Sequence, residues 1–348
     1  DGIACGDATV GTIDATGLYT APAVVPSPDD TVTISAASTV NTSKTGSGDA
    51  TIAAGPVIAG TVSKGRLNGA AVKAYAVAAN GTNGTLLSSG VTDSSGNFSI
   101  ALPAPQTGPV RVVASGGSYK SEASGVTVTG TSDVSSLVDS VPANVTGVAV
   151  TPLSTFVSSL TVHRLSGGGS LRRGRAVVAV GSPATEHAAA NSAVAAFFGL
   201  SGGAAIETLH PKFGKSDITD DEDGFKVGLA LGTLSLQGAN LLPSSPDDLV
   251  GALAADLTDG VFDGHDDTGA PVPLGGGDLP PTAGTTDFLT SLNDYIATGD
   301  AILTAGIVPA DVSGEVGDIS GGVTTSDLTP HEVGLSEGSS GAVGSISF

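Results

Sequence analysis

The chain has 348 residues, with 51 Gly, one Cys, no Met, no Trp and only 4% aromatic residues. Its formal net charge of −21 excludes a nucleic-acid binder that works by neutralising phosphates, and a polybasic dock on anionic lipid. No apolar run approaches the ~18 residues of a membrane span, and one Cys cannot close an internal disulfide, so Cys5 is read as a free thiol or an intermolecular link.

Charge is distributed unevenly. Residues 201–348 hold three Lys against 23 acidic residues, so nearly the whole net charge lies in the second half. Such a shift marks a change of domain. The reading is of two β-modules followed by an acidic helical domain and a tail. With no Met in the chain, a processed or cut piece of a longer polypeptide is expected.

In residues 1–54, Thr9–Ile13 and Thr31–Ser35 are β-prone and separated by Gly, Pro and Asp clusters. The stretch Gly11–Pro22, with Gly17-Leu18-Tyr19-Thr20-Ala21-Pro22 at its end, resembles the corresponding stretch of bacterial immunoglobulin-like domains. A Val32–Ala36 strand and a closing strand at Asp49–Ile52 continue the resemblance. Such modules need roughly 80–100 residues. The opening strands are therefore expected upstream or from another chain.

Residues 56–131 give a second β-module. Val57–Val62 and Gly69–Val77 read as strands. Val91-Thr92-Asp93-Ser94-Ser95-Gly96-Asn97-Phe98-Ser99-Ile100 reads as a turn followed by a strand, with Phe98 and Ile100 on one face. This pattern resembles the carboxypeptidase-regulatory-like, prealbumin-type sandwich. The resemblance implies a spacer or adhesive unit without catalytic residues.

From 132 to 312 the period shifts from two to about 3.6, which predicts a mostly α-helical domain. Ser182-Pro183 starts a helix that runs to Phe198 and stops at Gly199. Ser245-Pro246-Asp247-Asp248 repeats that start, ahead of one apolar face of Leu249, Val250, Leu253, Ala254 and Leu257. Phe288, Leu289, Leu292, Tyr295 and Ile296 form another face. Residues 225–242 are apolar on most sides and read as a central helix. Residues 313–348 read as a Gly/Ser-rich tail with an alternating end at Val343–Phe348. With Thr151–Thr155 and Asp256–Gly264, the whole layout resembles large bacterial surface proteins and lipoproteins of uncharacterised activity. That resemblance implies an extracellular or cell-surface location.

Motifs for catalysis are incomplete. Gly334-Leu335-Ser336-Glu337-Gly338 fits the nucleophile-elbow string, but neither Asp nor His follows it. Gly214-Lys215-Ser216 lacks the earlier Gly of a phosphate loop, and His331-Glu332 lacks the second His of a zinc helix. Arg172, Arg173 and Arg175 read as a solvated loop or an inter-subunit contact. A non-enzyme is expected.

The Asp clusters carry the remaining chemistry. Asp221 and Asp223 precede Gly224, while Asp259, Asp263 and Asp266 surround Gly260 and Gly264. Clustered hard oxygen ligands beside Gly suit Ca²⁺, although neither cluster completes an EF-hand loop. The alternative is that these residues cap helices and shape turns. The functional expectation is an extracellular structural or adhesive protein, with a subunit of a surface filament or polymer as its sharper form. The alternative is a Ca²⁺-dependent carbohydrate-binding module that takes surface glycans.

Overall fold

The computed structural model describes residues 5–22, 30–130, 132–166, 181–325 and 328. Strands dominate up to residue 150 and helices follow.

The first strands are small. β1 (Gly6–Asp7), β2 (Gly11–Ile13) and β3 (Tyr19–Thr20) form an antiparallel sheet. Gly11 has φ +85°, and a Cβ there would meet the Thr20 carbonyl oxygen at 2.4 Å, so only Gly fits. β4 (Thr31–Ala37) and β5 (Thr45–Thr51) form a two-stranded antiparallel hairpin. Val32 and Ile34 share one face opposite Ala50 and Gly48. Of the described residues in 5–54, only Gly11 and Ile52 are buried.

Two further sheets share a core. A four-stranded sheet has the order β13–β10–β7–β8, from β7 (Ala71–Val77), β8 (Asn83–Val91), β10 (Val110–Ser115) and β13 (Val134–Val138). A three-stranded sheet places β6 (Val57–Val62) between β9 (Asn97–Ala101), antiparallel, and β14 (Val145–Val150), parallel. Alternation drives the packing: Val72 and Ala74, Val110 and Val112, and Phe98 and Ile100 are all buried in the common cluster. The predicted turn forms as expected, with Asp93 accepting N–H bonds from Ser95 and Asn97 and Gly96 at φ +78°. A short antiparallel pair, β11 (Ser118–Lys120) with β12 (Thr127–Thr129), projects beside these sheets.

Two differences from the sequence reading follow. β13 and β14 lie in the stretch read as helical from residue 132, yet they complete the two sheets. Their short β-prone runs, Val134-Ser135-Ser136-Leu137-Val138 and Val148-Ala149-Val150, lack clean alternation and are too brief to outweigh the helical signal after them. The second difference is helix α6, Ser313–Thr325, in the stretch read as a tail. Gly322 within it, and Gly199 facing it, are packing residues. A Cβ at Gly322 would lie 2.3 Å from the Ala196 carbonyl oxygen, and one at Gly199 would lie 2.4 Å from the Asp318 carbonyl carbon. The terminal Val343–Phe348 run, Ser336, His331 and the Arg172–Arg175 cluster lie outside the described residues.

α1 (Pro152–Leu165) joins sheets to helices. Thr151 caps it in a reciprocal box with Ser154. Its hydroxyls also finish the free edge of β13: Ser135 N–H donates to Thr155 Oγ1 at 2.8 Å, and Ser154 Oγ donates to the Ser135 carbonyl at 2.8 Å. α2 (Pro183–Phe197) begins at its Ser182 cap and ends before Gly199 at φ +62°. α3 (Glu222–Leu241) is buried on most sides, as expected of a central helix. α4 spans Asp248–Asp256 and α5 spans Thr286–Thr298. An aromatic knot of Phe156, Phe197, Phe198, Phe262 and Phe288 joins α1, α2 and α5, with ring centroids 5.1–6.2 Å apart. The buried apolar residues of sheets and helices form one continuous cluster.

Candidate functional site

A cleft of about 830 Å³ opens between the sheets and the helices. Its sheet-side walls come from the β6–β7 connection, including Gly65 and Arg66, and from the β11–β12 hairpin, including Lys120 and Glu122. Lys212, Asp217 and Asp300 contribute from the helical side. These walls are locally determined. Gly65 has φ +65° and lies against the Tyr119 ring, which lets the connection close over the hairpin.

A buried polar network holds the cleft together. Lys64 Nζ donates to Asp247 Oδ2 at 2.8 Å and to the Ser132 carbonyl, while Tyr119 Oη donates to Asp247 Oδ1 at 2.8 Å. All three side chains are buried. Burial pulls the Lys64 ammonium below its ordinary value, and Asp247 opposes that pull. Burial and the Asp247 charge push the Tyr119 phenol far up. Beneath them, Asp247 stands just ahead of α4 without capping it. The helix begins at Asp248, two residues after the expected Pro246, following a turn in which the Asp248 N–H donates to the Ser245 carbonyl.

Glu122 is the unusual group. It is 6% exposed. Its Oε1 accepts the Gly65 N–H, while Oε2 is sealed from solvent without a partner among the described residues. Burial, with the Asp247 charge adding to it, pushes its carboxyl up to about 8. Burial therefore favours the neutral, protonated carboxyl at neutral pH. Tyr295 Oη, fully buried on α5, also has no partner among the described residues.

The acidic clusters are arranged differently from a shared ion site. Asp221 caps α3 through the Gly224 N–H at 3.1 Å and stands 3.9 Å from Lys212 Nζ. Asp223 accepts from the backbone N–H of Ser201 at 2.9 Å. Asp259 accepts the Val261 N–H, Asp263 the His265 N–H, and Asp266 the Thr268 and Ala270 N–H groups. Among the described residues, no three His, Cys, Asp or Glu side chains converge to hold a metal. The organising acid of the second cluster is Asp256, 1% exposed, whose Oδ1 accepts the N–H groups of Asp263, Gly264 and His265. Burial pushes its carboxyl up to about 7. Gly214-Lys215-Ser216 likewise forms a turn, with the Gly214 N–H donating to Asp217 and Lys215 paired with Asp311 at 2.7 Å.

The cleft network was missed in the sequence. Its one available signal is that Glu122 is one of only two acids in residues 55–131, and it lies within a β-module.

No family model matches the chain, and no curated protein matches it. A search of solved structures finds similarity to the crystal structure of a 9R-lipoxygenase from Cyanothece PCC8801. The identity is 18%, over 28% of this chain and 16% of that one, with a TM-score of 0.19. A likeness that slight carries no argument about fold or activity. No helix among the described residues is long and apolar enough to cross a membrane.

Proposed function

We propose that the chain is an extracellular structural or adhesive protein of the modular bacterial surface type. In this reading residues 5–52 are part of an immunoglobulin-like unit. The two sheets between residues 57 and 150 are a prealbumin-type sandwich that acts as a spacer. The helical part buttresses it, and the wide cleft between them, with its mixed polar and apolar lining, is the surface available to an adhesive ligand.

The observation that carries the proposal is the β4–β5 hairpin. A two-stranded hairpin alone is marginal in water. Among the described residues no strand pairs with either of its outer edges, and Val32, Ile34 and Ala50 are only half-buried. Such a surface recruits strands, and a strand from a neighbouring copy satisfies its backbone groups and covers its apolar face.

Negative-stain electron microscopy and sedimentation velocity of the native secreted protein test this reading. Filaments or discrete oligomers that dissociate in Val32→Asp/Ile34→Asp support it. Dispersed monomers at every concentration, unchanged by those substitutions, refute the polymer form.

A further inference from the structure

α1 lies over the outer face of the four-stranded sheet. On β10, Val110, Val112 and Ala114 point into the shared core, so Arg111 points outward, flanked in register by Tyr75 and Leu137. Arg111 is only 8% exposed. Its Nη1 donates to Asn83 Oδ1 at 3.1 Å, while Nε and Nη2 have no partner among the described residues. No carboxylate among the described residues lies within ion-pair distance of it.

Buried charges are normally paired, because removing an ion from water is expensive. Burial draws the guanidinium down only to about 10, so it stays charged at neutral pH. The two vacant donors are also specific. Nε–H and Nη2–H point in parallel along one edge of the guanidinium, the edge that receives both oxygens of a carboxylate.

Arg111 lines a cleft of about 220 Å³ between this sheet face and α1. Ser135, Ser158 and Ser159 add hydroxyls to it, and Ser158 Oγ is itself buried without a partner. Asp133 is the one acid on the lining, and the cations acting on it are Lys64 and Lys73. The cleft is smaller than the ~300–1,000 Å³ of drug-sized ligand pockets.

We propose that this cleft is a binding site for a small carboxylate, held two-pronged by Nε and Nη2 of Arg111 and steadied by the hydroxyl of Ser158. Those two nitrogens are closed to bulk water in the free chain. Ser158 Oγ is sealed in the same way. Binding therefore requires the Arg111 and Ser158 side chains to turn into the cleft, and among the described residues the Arg111 guanidinium gives up one hydrogen bond, to Asn83, in doing so.

Calorimetric titration of the full chain with sodium acetate, against sodium chloride at equal ionic strength, tests the site. One saturable acetate site is expected. Arg111→Lys keeps the charge but loses the parallel pair of donors, and it should weaken binding at least tenfold. Ser158→Ala should weaken it about threefold and provides a second readout if the lysine variant fails to fold by circular dichroism. Heat indistinguishable from chloride, or unchanged affinity in either folded variant, overturns the proposal. Saturable binding of phosphate with none of acetate also overturns it, since that selects a tetrahedral anion.

Discussion

Replacing Gly232 by Ala tests the packing at the centre of the helical part. Gly232 lies mid-helix in α3, where an isolated Gly→Ala change gains up to about 1 kcal/mol of helix propensity. Here the new Cβ would fall 2.0 Å from Tyr295 Cζ and 2.3 Å from its Cε1 and Oη. The ring cannot retreat, because a Cβ on Gly299 would lie 2.2 Å from its opposite edge, so two glycines box it in. Tyr295 is also fully buried. Overpacking a well-filled core costs about 1–3 kcal/mol, occasionally more, and a boxed aromatic ring belongs at the upper end. The expected net effect is roughly 2 kcal/mol of destabilisation, or a fall in Tm of about 3 °C, since the unfolding entropy of ~2.1 cal/mol/K per residue gives about 1.4 °C per kcal/mol for a chain of 348 residues. Thermal melts by far-UV circular dichroism measure it. Gly317→Ala is the internal control: that exposed α6 glycine has nothing within 4 Å of a Cβ, so it should gain about 0.5–1 kcal/mol. If Gly232→Ala is as stable as the parent while the control behaves, the close approach of α3 to Tyr295 is wrong.

Asp247→Ala strands the Lys64 ammonium and the Tyr119 hydroxyl in a buried junction, and it should cost about 3–5 kcal/mol; urea denaturation showing under 1 kcal/mol would refute the network. Glu122 has its folded pKa raised from 4.5 to about 8, so the folded chain holds that proton more tightly than the unfolded one. Its effect on stability is therefore most favourable at low pH and is lost as pH rises from about 4.5 to about 8, at about 1.4 kcal/mol per unit. Glu122→Gln keeps an acceptor for the Gly65 N–H and should gain on the parent steadily from pH 5 to 8 in melts; a constant difference refutes the shift. Because each acid of both Asp clusters already accepts bonds from backbone N–H groups, millimolar CaCl₂ should shift Tm no more than MgCl₂; a saturable, calcium-specific rise would instead assign a site there.

What could be read from the sequence was local. The Ser182-Pro183 start and Gly199 stop of α2 follow from hydrogen bonds and backbone angles within a few residues. So does the Asp93–Gly96 turn, and so does the burial of Leu249, Leu253 and Leu257 along one helix face. The clustered Asp residues were legible as turn- and cap-formers for the same reason. Glycine composition misled where its purpose was distant: Gly317 faces open space, but Gly322 five residues later lies against α2, and only the tertiary arrangement separates a flexible-looking run from a packing surface. The functional groups were of this second kind. Lys64, Tyr119 and Asp247 are up to 183 residues apart, and nothing in their neighbours fixes their meeting. Arg111 reads as an ordinary strand residue until α1 folds over it and removes the water its charge requires. Sequence sets the periods and the turns. Desolvation, which favours the neutral form of Glu122 and leaves Arg111 without a counter-ion among the described residues, arises only when distant surfaces close on each other.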